Sequence, residues 1–219
     1  MTSLYTVANN PFSSTFVDTS SLHASLEKGS DDDRIRAMTQ IVYMALAGDS
    51  QSQLLMDIIR YVLPSKNRQL KKLLHQYWEA VPKVDAHGKL RQEMILVVNA
   101  IRNDLQHPNE YIRGGTLRFL TKFREAELLE PLVPTIRECL EHRNSYVRKN
   151  ALFCILAIAQ NEPTAFLMPD ASDVISAPLA LERDCVCMRN GFVALASLNR
   201  DLAYAYFPYR YATCSASML

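Results

Sequence analysis

The chain has 219 residues and a formal net charge of +1, so it carries no global basic field that would favour nucleic acid as its main partner. Glycine is scarce, at 6 residues, and Val, Ile and Thr form no alternating runs, which argues against phosphate-binding loops and β-rich folds. The five irregularly spaced cysteines, with no secretory signal ahead of them, favour a reduced cytosolic compartment, and no apolar run approaches the ~20 residues of a membrane span.

The N-terminal half is predicted to be a polar arm followed by amphipathic helices. Residues 1–19 are rich in Ser, Thr and Asn and have no helical period, so we expect a flexible arm. Ser30 and the acidic residues 31–33 predict a helix start, because a serine cap and carboxylates stabilise the positive end of the helix dipole. Apolar residues at steps of three and four predict helices that end at Gly48, Pro64 and Pro82, and a fourth helix along residues 90–101.

The C-terminal half continues the same helical period as far as about residue 200. Apolar stripes predict a helix from Asn109, then helices along residues 129–140, 145–160 and 171–181, and another from about Asp184. Pro131 and Pro134 predict a first turn or a kink, since an interior proline removes a backbone hydrogen bond. The period is lost along residues 201–219, where five aromatic residues crowd around a proline, and we expect an atypical tail there.

One seven-residue pattern occurs twice, as HPNEYIR at residues 107–113 and HRNSYVR at residues 142–148. Setting Asn190 against Asn150 gives a third copy, in which CMRNGFVAL aligns with VRKNALFCI. Repeats of about 35–47 residues built from two helices are typical of HEAT and armadillo proteins, whose helix pairs bury their apolar faces only by stacking. We therefore predict an all-α fold, a right-handed α-solenoid of HEAT/armadillo-type helix pairs, over residues 20–200.

The repeated arginines, Arg113 and Arg148, allow two interpretations. In the structural one, each lies along the stack and bonds a carbonyl or carboxylate of the adjacent repeat; in the functional one, they form a ligand-binding ladder. We favour the structural interpretation, because repeats preserve what stacking needs. Gly114 and Gly115 fall inside a helical pattern, where glycine costs stability, so we expect close packing of a neighbouring helix there.

Candidate residues for metal binding are few. Cys185 and Cys187 could join His142 or His107 as ligands, but their C-x-C spacing differs from the C-x₂₋₄-C of structural zinc sites, so buried helix cysteines are favoured. The acidic run 31–33 resembles a metal site only by count, and helix capping explains it better.

Candidate residues for catalysis are equally few. His75 has no acid or nucleophile at a suggestive spacing, and G-x-S-x-G, P-loop, H-E-x-x-H and G-x-G-x-x-G motifs do not occur. We expect no catalytic, cofactor-binding or metal-binding residue and no enzyme activity. A small basic cluster of Arg68, Lys71 and Lys72 is interpreted as a solvated helix face, with contact to a partner or an anionic membrane as the alternative.

Long strings along the chain resemble one family of vesicle-coat proteins. LRQEMILVVNAIRNDLQHPNEYIRG, AELLEPL and CLEHRNSYVRKNA, with the surrounding residues 77–155, closely resemble the N-terminal trunk of the coatomer beta-subunit family, within the adaptin-like large subunits. LLMDIIRYVLPSKNRQLKKLLHQYWE, residues 54–79, and LEKG, residues 26–29, fit the same family. The resemblance extends over about residues 20–200, and the tail 201–219 departs from the family pattern.

The resemblance implies a structural and adaptor role in the COPI vesicle coat, in Golgi-to-ER and intra-Golgi transport. The implied partners are other coatomer subunits, delta closest and gamma and zeta in the same subcomplex, and a GTP-loaded Arf-family GTPase that recruits the coat to the cytosolic side of the Golgi membrane. The family has no catalytic residue and no short motif that marks the GTPase contact, so no binding residue is assigned.

Two other helical-repeat functions compete with this expectation. A clathrin-adaptor large subunit would share the fold, although YWEAVPK and HPNEYIRG favour coatomer. A HEAT-repeat scaffold or transport receptor would bind cargo along its concave face without dependence on an Arf-family GTPase. Periodicity alone indicates only a helical-repeat binding protein, and the vesicle coat is what the resemblance adds.

Overall fold

The computed structural model describes residues 18–48, 52–85 and 87–205, and these fall into two compact units that divide between Val97 and Val98. The described residues contain no β-strand; their nearest equivalent is an isolated antiparallel bridge between Val84 and Leu90. The expectation of an all-α helical-repeat solenoid is therefore confirmed. No described helix combines the length and the apolar character that crossing a bilayer requires.

The first unit contains helices α1 Thr19–Lys28, α2 Asp31–Leu46, α3 Leu55–Asp57 and α4 Arg68–Ala80. Helix α1 packs on α2, and α2 packs on α4, so that their apolar stripes share one core. The largest fully buried side chain among the described residues of this unit is Trp78 of α4.

The second unit stacks helices that carry the repeated pattern. Its helices are α6 Glu110–Leu120, α7 Ala126–Leu129, α8 Val133–Glu138, α9 Ser145–Gln160, α10 Ala171–Leu181 and α11 Cys185–Leu198, and α5, Met94–Leu105, precedes them along the chain. Helix α9 packs between α6 and α11, and α10 packs on α11. The core of this stack includes Leu117 and Leu120 of α6 together with Val147 and Ile155 of α9, all fully buried.

Several helix boundaries agree with the prediction, but the helix predicted along residues 90–101 is α5, Met94–Leu105, because Leu90 pairs with Val84 in an isolated bridge ahead of it. The Ser30 hydroxyl accepts from the backbone N–H of Asp33, and the Asp33 carboxylate accepts from the backbone N–H of Ser30, a reciprocal capping box. The helices predicted along residues 145–160 and 171–181 are confirmed at both ends. The helix predicted to begin near Asp184 is α11, and Asp184 caps it by accepting from the backbone N–H groups of Val186 and Cys187.

Two predicted helices are interrupted. The helix predicted to end at Pro64 consists of a 3-10 turn at Ser52–Leu54, the short α3 and a π-helical turn at Ile58–Val62. The helix predicted along residues 129–140 is divided at its prolines, because Pro131 and Pro134 each occupy the first or second position of a new helical segment. The expected first turn or kink at these prolines is thereby confirmed.

The predicted arm and tail fall mainly outside the described residues. Of residues 1–19, Asp18 is described as the cap of α1 and Thr19 as its first residue. Of residues 201–219, only 201–205 are described, and they are helical. The arm and the tail therefore stay predictions.

Candidate functional site

The two copies of the repeated pattern form the same turn ahead of α6 and α9. In each copy the histidine Nδ1 accepts from the backbone N–H of the asparagine two residues later, at 2.9 Å for His107 and 3.1 Å for His142. The asparagine, Asn109 or Asn144, then caps the helix by accepting from the N–H of the following tyrosine at 2.9 Å. Sequence identity in the pattern thus reflects a shared hydrogen-bonded turn.

The repeated arginines fold back over these turns. Arg113 donates from Nε to the His107 carbonyl oxygen at 2.6 Å and from its terminal nitrogen to the Gln106 carbonyl at 2.9 Å. Arg148 donates to the carbonyls of His142 and Arg143 at 2.8 and 2.9 Å. These carbonyls all belong to the arginine's own repeat, so the bonds favour a structural role for both residues. The described contacts of Arg113 do not include the predicted bond to the adjacent repeat.

Arg148 also reaches the next repeat. Its Nε and terminal nitrogen donate to the two carboxylate oxygens of Glu182 at 2.6 and 2.7 Å. The pair is largely buried, with side chains 19% and 8% exposed. Hydrogen bonding from Arg148 lowers the pKa of Glu182, and the same bonds raise the pKa of Arg148, so both groups are held charged.

The sequence predicted a carbonyl or carboxylate of the adjacent repeat as the partner of the repeated arginines, but it did not identify Glu182. Glu182 occupies, in the third copy, the position that His142 occupies in the second, and Met188 replaces the arginine. The third turn thus supplies the carboxylate of the ion pair, and the second turn supplies the guanidinium group. Extending the alignment of the three copies upstream of Asp184 would have shown that the third copy has Glu182 in place of the histidine.

The glycine pair of α6 has two different environments. A Cβ at Gly114 would lie 2.6 Å from Cδ1 of Tyr146 and 3.1 Å from Nδ2 of Asn150, so close packing against α9 is confirmed there. A Cβ at Gly115 would meet no described atom within 4 Å, so the same expectation is wrong for Gly115. Of the two glycines, only Gly114 lies in close contact with α9.

The cysteine and acidic candidates separate in the structure. Cys187 is buried in α11, as expected for a helix cysteine, whereas Cys185 is exposed, so that expectation is wrong for Cys185. Burial raises the pKa of the Cys187 thiol to about 12, which keeps it protonated. The described residues contain no group of three His, Cys, Asp or Glu side chains that could hold a metal ion, and Asp33 of the acidic run serves as a capping residue.

The basic cluster and His75 lie on α4. Arg68 and Lys72 are exposed and Lys71 is half-buried, which fits the interpretation as a solvated helix face. His75 is also half-buried on this helix. Contact of the cluster with a partner or a membrane stays a prediction.

A groove of about 570 Å³ opens beside the Arg148–Glu182 pair. His142, Arg143 and Arg183 supply polar groups along it, and Pro178 and Leu181 of α10 supply an apolar side. Leu181 is 84% exposed at this apolar side. Such a surface can bind a protein partner but assembles no nucleophile, base and orienting group.

The repeated helix-pair architecture has a counterpart among protein families. The family described as the adaptin N terminal region matches residues 17–214. The chain belongs to this adaptin family. The match extends over both compact units and includes the repeated turns. It also continues to residue 214, so the expectation that the tail departs from the family pattern is wrong for residues 201–214.

Several relatives of this adaptin-family chain are identical to it at about half of the aligned positions. Coatomer subunit beta of Candida glabrata is 52% identical over 203 residues, which cover 92% of this chain and 21% of that protein. Coatomer subunit beta of Saccharomyces cerevisiae is 51% identical over 182 residues, and that of Sus scrofa is 49% identical over 202. The chain spans about a fifth of the length of these relatives.

Two solved structures of engineered proteins share the fold of this adaptin-family chain. One superposes with a TM-score of 0.54 over 82% of this chain and 80% of its own, and the other with 0.52 over 80% and 77%. Both are 15% identical in sequence, so the likeness concerns the fold alone.

Proposed function

We propose that this chain serves as the N-terminal trunk of a COPI coat subunit and acts by protein–protein binding in Golgi-to-ER and intra-Golgi vesicle transport. The observation that carries the proposal is the identity of about half of the residues to coatomer subunit beta along 92% of the chain. In this role the chain is not an enzyme, and its arginines and capping residues maintain the helical stack on which partners dock.

The proposed partners are the other coatomer subunits, with delta closest and gamma and zeta in the same subcomplex, and a GTP-loaded Arf-family GTPase. The proposed location is the cytoplasm and the cytosolic face of Golgi membranes and COPI vesicles, where the chain associates peripherally. The groove beside Arg148 and Glu182, with its exposed Leu181, supports a docking role, since exposed apolar residues beside grooves are frequent at protein interfaces.

A pull-down tests this function. The purified chain is immobilised and incubated with an Arf-family GTPase loaded with non-hydrolysable GTP or with GDP, at two salt concentrations. Retention of the GTP form alone is expected if the recruitment surface lies within these residues. Equal retention of both forms, or of neither by a chain that melts cooperatively, would contradict a recruitment surface in this trunk.

A further inference from the structure

A second groove, of about 620 Å³, lies between α6, α9 and α11 within the C-terminal unit. The end of α6, one face of α9 and the first turns of α11 form its walls, so successive copies of the repeat contribute to it. Its volume is within the ~300–1,000 Å³ typical of ligand sites in proteins. The groove described above, beside Arg148 and Glu182, is formed by the turns and α10, whereas this one is formed by the helix faces.

The groove between α6, α9 and α11 is basic. Arg118 and Lys149 line it, and no Asp or Glu is among the described residues in its walls. The Lys149 ammonium nitrogen lies 5.1 Å from the centroid of the Tyr146 ring, a cation–π contact that holds the charge at the groove. Because a concave surface lined by one sign of charge focuses its field, the groove attracts anionic groups.

Two asparagines recur at matching positions of successive repeats in the same groove. Asn150 and Asn190 are 9% and 4% exposed, although their side chains are polar. Asn150 donates from Nδ2 to the Tyr146 carbonyl at 2.6 Å, a bond that uses one of its two amide hydrogens. A carboxamide both donates and accepts, so a row of carboxamides is suited to the alternating N–H and C=O groups of a peptide backbone.

Apolar side chains complete the walls. Phe153 of α9 and Val186 of α11 are each 40% exposed, and Leu156 lies one turn or less from Phe153 along the same helix. They supply an apolar surface next to Arg118 and Lys149. The groove therefore offers hydrogen bonds, positive charge and apolar contact side by side.

We propose that this groove binds an extended segment of a partner protein in which acidic residues alternate with apolar ones. In an extended peptide, side chains point alternately to opposite sides, so one side can meet Arg118 and Lys149 while the other meets Phe153 and Val186. An anionic membrane would also match the charge, but a flat bilayer cannot enter a groove to reach buried asparagines. The inference goes beyond the coat assignment, because such a groove would bind peptides in any helical-repeat scaffold.

A peptide selection tests the proposal. Phage displaying random peptides are selected on the purified full chain, and the affinities of enriched peptides are measured by fluorescence anisotropy. The same peptides are then measured with Lys149→Glu and Arg118→Glu, which reverse the charge of the groove. Lys72→Glu is the matched control, because Lys72 is exposed on α4 and does not line the groove.

The proposal predicts enriched peptides that are rich in Asp or Glu next to apolar residues. Reversing either groove charge should weaken their binding about tenfold or more, whereas Lys72→Glu should leave it unchanged. Circular dichroism melting establishes which variants fold. If Lys149→Glu does not fold, Arg118→Glu decides the test, because Arg118 is exposed. These variants are also used in the GTPase pull-down, so loss of peptide binding with retained GTPase binding separates this proposal from the coat function.

Three results would overturn the proposal. Either no peptide is enriched, or the enriched peptides are basic, or acidic peptides bind both groove variants as tightly as the unaltered chain. Vesicles of phosphatidylcholine with and without phosphatidylserine provide the membrane arm. Vesicle binding that both groove variants abolish, without any peptide effect, would assign this face to a lipid surface instead.

Discussion

At the scale of single residues, Arg148 has the most interactions in the repeated turns. Two of its bonds stay within its own repeat, at the carbonyls of His142 and Arg143, and two reach Glu182 of the next. Repeat stacking therefore depends on a charged pair as well as on apolar burial. Breaking such a pair leaves an uncompensated buried charge, which costs more than the pair itself contributes.

We expect Arg148→Met to lower the free energy of unfolding by about 3 kcal/mol, because Glu182 and two carbonyls lose their donor. Chemical denaturation monitored by circular dichroism measures this change. Arg143→Met is the control, since Arg143 is 83% exposed and pairs only at the surface with Glu110, and it should cost less than about 1 kcal/mol. Equal effects of the two variants would contradict the assigned role of Arg148.

The lowered pKa of Glu182 predicts a dependence of stability on pH. A carboxylate whose pKa is depressed by folding stabilises the native state above its unfolded pKa, and that stabilisation is lost as pH falls through the folded value. The unaltered chain should therefore exceed Glu182→Gln in stability at neutral pH, and the difference should shrink below about pH 4.3. A difference that stays constant down to pH 3 would contradict the pair.

The two adjacent glycines predict opposite effects of the same substitution. Gly114→Ala should destabilise the chain by about 1–3 kcal/mol, because the new methyl group would overlap the Tyr146 ring. Gly115→Ala should stabilise it by about 0.5–1 kcal/mol, since the site is open and alanine favours the helix. Chemical denaturation of both variants measures the sign of each change in the free energy of unfolding. Changes of the same sign would contradict close packing of α9 at Gly114 only.

At the scale of elements, the caps determine where the stacked helices begin. Asn109, Asn144 and Asp184 occupy equivalent positions ahead of α6, α9 and α11, and each accepts from a backbone N–H of the first turn. Each cap satisfies a donor that the helix itself cannot pair. The repeated turn thus fixes the spacing of the three helices in the sequence.

We expect Asn144→Ala to cost about 1 kcal/mol of stability and Asn144→Asp to cost much less, because aspartate caps equally well. Thermal melting of both variants measures this. Asn103→Ala, at an exposed position within α5, is the control and should change stability by less than about 0.5 kcal/mol. A loss from Asn144→Asp as large as that from Asn144→Ala would contradict the capping role.

Helix positions were largely predictable from the sequence because apolar period and capping residues agree. The predictions for α9 and α10 match at both ends, since Asn144, Gln160 and Leu181 bound clear apolar stripes. The π-helical turn at Ile58–Val62 was not predictable, because α-, 3-10 and π-helical turns place apolar residues at similar steps. Glu182 and the open site at Gly115 depend on neighbours in space, which a stripe does not specify.

At the scale of the whole molecule, helical repeats present surfaces made by several elements at once. The groove between α6, α9 and α11 and the groove beside Glu182 both draw their walls from more than one repeat. In such proteins each repeat contacts only its neighbours, so a binding surface can lie within a short series of repeats.

If the proposed role is right, this chain should replace the N-terminal trunk of a coatomer beta subunit. The most direct measurement replaces the aligned stretch of Saccharomyces cerevisiae coatomer subunit beta, 51% identical over 182 residues, with the residues of this chain. The purified chimera is then tested for copurification of the other coatomer subunits and for retention by GTP-loaded Arf-family GTPase. Both are expected at levels near those of the unaltered subunit, whereas a stably folded chimera that associates with neither would contradict the proposed role.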